Sequence, residues 1–333
     1  MLSLAQSCRC MFMECTRNAL GLRGRRRVLC IDNCALTAEG GQAAGDCGAW
    51  DTLAVAEVVI GDELMLSLTE YFRYLLQVPL LRSLRITLSQ RDYFFWLLNL
   101  TLIVNDFRNS TGKKKLEQLS IDFGADCYSD ISAPAPVVND LFETLQQCDS
   151  LKSLELVSAP LSSDIRFRLP PRLEQLSLHR WFAVDLVRDD LTRLHRLCIS
   201  SSSIDDEQAT ALFSGRNWQM LHSLELPDNL ITSMTCLFGS RLPCLRKIDL
   251  SNNTLSEDFE SVIDLLQRLP QIDELSIASN MIGEEGLMML LRFCDTSNRT
   301  HPLVIDVKHN GIRIAAQIGA TGRNIPLFKI LFE

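Results

Sequence analysis

The chain has 333 residues, 47% hydrophobic and 22% charged, with a formal net charge of −8. These values exclude wholesale disorder, and the acidic balance argues against a general nucleic-acid coat, which needs a basic surplus. Sixteen glycines and eleven prolines are too few for a collagen-like or low-complexity chain, and the length suffices to bury a large core.

Residues 1–27 carry Arg9, Arg17, Arg23, Arg25, Arg26 and Arg27 against a single acid, Glu14. An Arg-rich, acid-poor start fits a mitochondrial presequence, and it equally fits a basic leader or N-terminal cap. No apolar signal-peptide core is visible, which argues against secretion. The longest apolar run, from Tyr93 to Val104, is broken by Asn99 and Thr101 and is too short for a membrane span. Twelve cysteines include no CxxC pair and no zinc-like Cys/His spacing. Contexts such as Leu29-Cys30-Ile31 suit free thiols packed as small hydrophobes. The expectation is a reducing compartment, cytoplasmic or nuclear, with no cofactor and no metal.

From residue 81 onward an L-x-x-L-x-L pattern recurs: Leu81-Leu84-Ile86, Leu116-Leu119-Ile121, Leu151-Leu154-Leu156, Leu173-Leu176-Leu178 and Leu194-Leu197-Ile199. It continues as Leu221-Leu224-Leu226, Leu245-Ile248-Leu250 and Ile272-Leu275-Ile277, with a weaker copy ending at Val307. Upstream, Leu29-Ile31 and Ala56-Val58 fit its last two positions. The final apolar positions run from 31 to 307, 276 residues over ten steps, or 27.6 residues per step. Alternation within L-x-L turns one strand face into the core and the other outward. One unit cannot bury its leucines alone, whereas stacked units can. Between the strands, 258–269 and 137–148 show helical spacing, and Pro270 stops the first of these.

Two copies, Leu245-Arg-Lys-Ile-Asp-Leu-Ser-Asn-Asn253-Thr-Leu255 and Ile272-Asp-Glu-Leu-Ser-Ile-Ala-Ser-Asn280-Met-Ile282, match L-x-x-L-x-L-x-x-N-x-L throughout. The chain thus resembles the leucine-rich-repeat proteins. Ile282-Gly-Glu-Glu-Gly286, with helical second halves, resembles the ribonuclease-inhibitor-like subfamily. The resemblance implies an α/β solenoid, a curved horseshoe with a parallel sheet inside and helices outside. It would comprise about eleven repeats over 28–315, followed by a C-terminal cap over 316–333. The asparagine should satisfy backbone groups where the chain turns off the strand. Long spacings after residues 86 and 121 predict loops over 105–115 and 125–137, and a more regular C-terminal half.

No Walker loop, G-x-G-x-x-G, H-E-x-x-H or G-x-S-x-G motif occurs, and the five histidines are scattered over several repeats. Enzymatic activity is therefore not expected. The residues between the core pair read Cys30, Glu57, Arg85, Ser120, Glu155, Ser177, Cys198, Glu225, Asp249, Ser276 and Asp306. With strands under about 5 Å apart, Glu225, Asp249, Glu274 and Asp306 should form an acidic strip beside Lys247 and Lys308. That strip suits a partner protein with a basic patch; the alternative is an ordinary solvated face. Trp181 and Phe182 stand where an asparagine is expected, as an exposed interface anchor or as core filler of a degenerate repeat.

The expected function is a non-catalytic protein-interaction scaffold. One alternative resembles the Ran GTPase activators, although no residue here matches their catalytic arginine and 326–333 holds no acidic tail. Another is the substrate-recognition subunit of a ubiquitin ligase, for whose helical adaptor residues 1–27 are too short.

Overall fold

A computed structural model describes the backbone of 28–31 and 57–60, together with residues 81–87, 101, 103–110, 115–124, 135–158, 168–181, 191, 193–313 and 327–332. Residues 1–27, Phe182 and 316–326 lie outside these. Contacts divide the chain into two compact units, 1–173 and 174–333.

The first unit holds five parallel strands in sequence order: β1 (Val28–Ile31), β2 (Glu57–Ile60), β3 (Ser83–Thr87), β4 (Gln118–Asp122) and β5 (Ser153–Val157). The alternating leucines point inward: Leu84, Ile86, Leu119, Ile121, Leu154 and Leu156 are buried. Helix α1 (Ala135–Leu145) lies between β4 and β5 and buries Val138, Leu141, Phe142 and Leu145.

Two expectations for this unit need correction. Ile31 pairs with Ile60, and Ile60 with Ile86, so the second repeat is two residues out of the expected register. Val59, not Glu57, holds its middle position. The extra residues after Ile86 do not all form a loop. Residues 103–109 are helical, with Ile103, Val104 and Phe107 buried.

The second unit holds seven parallel strands in order: β6 (Gln175–His179), β7 (Arg196–Ser200), β8 (Ser223–Glu225), β9 (Lys247–Asp249), β10 (Glu274–Ser276), β11 (Leu303–Asp306) and β12 (Phe328–Leu331). The last lies in the segment expected to be a cap. It keeps the repeat register, pairing Ile305 with Ile330.

Repeat length decides what connects the strands. The 24-residue step from Leu226 to Leu250 leaves room only for a 3₁₀ turn at Thr235–Leu237. The 27-residue steps ending at Leu226 and Ile277 carry α2 (Asp206–Phe213) and α3 (Phe259–Arg268). The 30-residue step to Val307 carries the longest, α4 (Gly283–Thr296). Asp205 and Gln208 form a reciprocal capping box that opens α2. Gly286 brings α4 against its own preceding turn, because a Cβ there would lie 2.7 Å from Ile282 Cβ. Leu224, Leu226, Ile248, Leu250 and Ile277 are fully buried, each adding about 1.5–3 kcal/mol by leaving water.

Seven strands, β5 to β11, end in the same sharp turn. Ser158, Arg180, Ser201, Asp228, Asn252, Ser279 and His309 follow the last core position by two residues, and all have φ between 50° and 57°. None is a glycine, so a left-handed backbone recurs that most L-residues disfavour. Each unit is therefore an α/β leucine-rich-repeat solenoid, with sheet on one side and helical or irregular segments on the other.

Candidate binding face

The residue after each left-handed position decides how rigid the second unit is. Asn229 accepts the N–H groups of Ser202 and Ile204 on Oδ1, both at 3.1 Å, and donates from Nδ2 to the carbonyls of Ile199 and Leu226. Asn253 accepts from Ile231 N at 3.0 Å and donates to Leu226 and Leu250. Asn280 accepts from Leu255 N at 3.3 Å and donates to Leu250 and Ala278. Each asparagine therefore completes the turn of the repeat before it, in buried surroundings where an unmet backbone group is expensive.

Ser202 does the same work with less reach. Its Oγ accepts from Trp181 N at 2.9 Å and donates to Ser200 O at 2.8 Å. Trp181 itself is fully buried. It fills the core of a repeat that lacks an asparagine and offers no exposed anchor.

This ladder holds an outward sheet face in strict register. Its middle row runs Ser177, Cys198, Glu225, Asp249, Ser276 and Asp306. The row before it runs Gln175, Arg196, Ser223, Lys247, Glu274 and Val304. Glu274 thus sits beside Lys247 rather than in line with Asp249.

The four expected carboxylates share one face, but each has a local partner. Glu225, 9% exposed, accepts from Arg196 Nη2 at 2.6 Å and from Ser223 Oγ at 2.9 Å. Burial pushes its carboxyl up. The hydrogen bonds from Arg196 and Ser223, with the charges of Arg196 and Lys247, outweigh that and hold it below its ordinary 4.5. Lys247 Nζ lies 4.0 Å from Glu225 and 3.9 Å from Glu274, bridging two repeats. Asp249 accepts from the backbone and hydroxyl of Ser251. Asp306 lies 3.5 Å from Lys308 Nζ. Glu225 and Glu274 thus alternate with Arg196 and Lys247, Asp306 pairs with Lys308, and Asp249 is held by Ser251, so the face is not a bare acidic strip.

The reach of Arg196 into the next repeat was not legible in the sequence. In the sequence His195 and His222 stand scattered, whereas their rings stack at 5.5 Å and 9°. The signal was positional: each immediately precedes its strand, in adjacent repeats.

Among the described residues, Cys236, Cys244 and Cys294 are free thiols. No group of three or more His, Cys, Asp or Glu among them could hold a metal ion, and no helix is long and apolar enough to cross a membrane.

No family model matches the chain. Among curated proteins, tubulin-folding cofactor E of Arabidopsis thaliana is 32% identical over 152 residues, 42% of this chain. The chain spans only 28% of that protein's length. Among solved structures, internalin C2 of Listeria monocytogenes aligns over 66% of this chain and 84% of its own, at 18% identity and a TM-score of 0.36. A Bacteroides fragilis protein aligns over 88% of this chain and 82% of its own, at 15% identity and a TM-score of 0.44. TLR13, solved in complex with ssRNA13, aligns over 92% of this chain and 36% of its own, at 16% identity and a TM-score of 0.45.

Proposed function

We propose that this leucine-rich-repeat protein is a non-catalytic scaffold that binds a polypeptide partner on the outward sheet face of its second unit. The observation that carries this reading is the preorganisation of that face. Its side chains project from strands locked in register, and Asn229, Asn253 and Asn280 fix the turns beneath them. A face already ordered loses little entropy on binding.

Asp249, Glu274 and Asp306 are the carboxylates offered to partner Lys or Arg side chains. Glu225 is internal to the network and sets its geometry. Because the face alternates in charge, it selects a partner by charge pattern and register more than by bulk attraction. The helices and longer steps of the last repeats support a ribonuclease-inhibitor-like subtype within this reading.

The matched relative is by name a tubulin-folding cofactor, so a tubulin subunit is the first partner to test. Immobilised protein should retain tubulin, and Asp249→Lys with Glu274→Lys should slow association by about tenfold while the thermal melt stays in place. Failure of the wild type to retain tubulin removes that partner. Unchanged binding by a folded double variant removes this face.

A further inference from the structure

Charge in the second unit is uneven between the two ends of its strands, although Arg313 lies 3.3 Å from Glu284 at the acidic end. Where the strands end and the helices begin stand Asp206, Glu207, Asp228, Glu260, Glu284 and Glu285. The connections entering β7, β8 and β9, at the opposite end, supply Arg193, Arg216, Arg241 and Arg246 together with His195 and His222.

Backbone hydrogen bonds set these residues side by side. His222 N donates to His195 O at 2.8 Å, and Arg246 N donates to His222 O at 2.9 Å. Deeper in the same connections, Arg241 N donates to Arg216 O and Trp218 N to Arg241 O. Arg193, His222, Arg241 and Arg246 are exposed. Among the described residues, the acids within this ladder lie at its edges. Glu174 precedes His195, and Asp273 follows Arg246, 4.0 Å from its guanidinium. Met220, 42% exposed, adds an apolar spot among the cations.

We infer that this rim, built by Arg193, Arg216, Arg241 and Arg246 around the His195–His222 stack, binds an acidic polypeptide segment. Four guanidiniums in three adjacent repeats, one each before β7 and β8 and two before β9, match carboxylates that recur along one extended strand of a partner. Arginine is suited to this because its fork takes a carboxylate in a bidentate pair. A nucleic acid fits less well. The patch spans only three repeats at about 5 Å each, the opposite rim would repel a long polyanion, and the chain as a whole is acidic. The rim is separate from the sheet face and does not rest on that reading.

The test is fluorescence anisotropy with a short labelled oligoglutamate, against a labelled oligothymidylate of equal charge. The wild type should bind oligoglutamate more tightly, with affinity falling as salt rises. Arg241→Glu with Arg246→Glu should weaken it at least about tenfold. Arg193→Glu with Arg241→Glu should do the same while leaving the Arg246 contacts to Gln271 O and Asp273 intact. Asp249→Asn with Glu274→Gln, on the sheet face, should leave it unchanged. Absent oligoglutamate binding, equal binding by either folded charge-reversal variant, or tighter binding of oligothymidylate would each overturn the proposal.

Discussion

The side-chain oxygen of Asn310 accepts the backbone N–H of Asn280 at 2.8 Å, so one ladder asparagine is itself held by the next. Asn280 then reaches back to Leu255 N and Leu250 O. The turns are thus linked in series. Asn280→Ala should cost about 2–4 kcal/mol, because it strands several buried backbone groups together. Ser202→Ala, which removes a shorter link, should cost about 1 kcal/mol. Urea midpoints at constant m-value measure both. Small and equal losses would mean that the turns hold without the ladder.

Leu250 and Asp249 are neighbours in sequence and point to opposite sides of the sheet. Leu250 is fully buried, and its truncation to Ala should cost about 2–5 kcal/mol. Asp249→Ala should cost no more than about 1 kcal/mol, the worth of its bonds to Ser251. Denaturant unfolding of the two variants side by side decides whether the facing is right.

Glu225 makes stability depend on pH. Its folded pKa lies below its unfolded value near 4.5, so its contribution is present above that value and lost as pH falls through the folded pKa. Wild type should exceed Glu225→Gln in stability by a constant margin above about pH 5.5, and the margin should shrink as the medium becomes more acidic. A margin that grows on acidification would contradict the network drawn around Arg196.

Thiol reactivity offers an independent probe. Burial, with the negative charge of Asp206, pushes Cys236 up to about 12, and burial with Asp295 does the same for Cys294. Neither should form appreciable thiolate at neutral pH. Cys244, half-buried in the connection before β9, should alkylate well before either one. Peptide mapping after brief iodoacetamide treatment reads the order directly, and early labelling of Cys236 would show that its repeat opens.

The strands from β3 to β11 were legible because each shows a clear apolar alternation, whereas β12 lies in a segment read as a cap. The second repeat was misread by two residues because Val58, Val59 and Ile60 are consecutive, and an unbroken apolar run hides which residues face inward. Trp181 was ambiguous for a different reason. Sequence showed that the asparagine was missing, but not that Ser202 in the following repeat would take over its backbone contact. On the candidate face, the row of each residue could be counted from the pattern. The partners could not, because long side chains such as Arg196 and Lys247 reach diagonally into neighbouring repeats.

The backward reach of the asparagines gives synthesis of the chain a direction. A ribosome releases the N-terminal end first, yet the turn ending at Ile204 needs Asn229, and the one ending at Ile231 needs Asn253. In the second unit, a repeat closed this way therefore stays unfinished until the following one has left the tunnel. At ordinary elongation speeds a repeat of this length takes roughly one to five seconds to appear. Throughout translation, the most recent repeat presents unclosed backbone and uncovered leucines, which is the stretch a nascent-chain chaperone would meet.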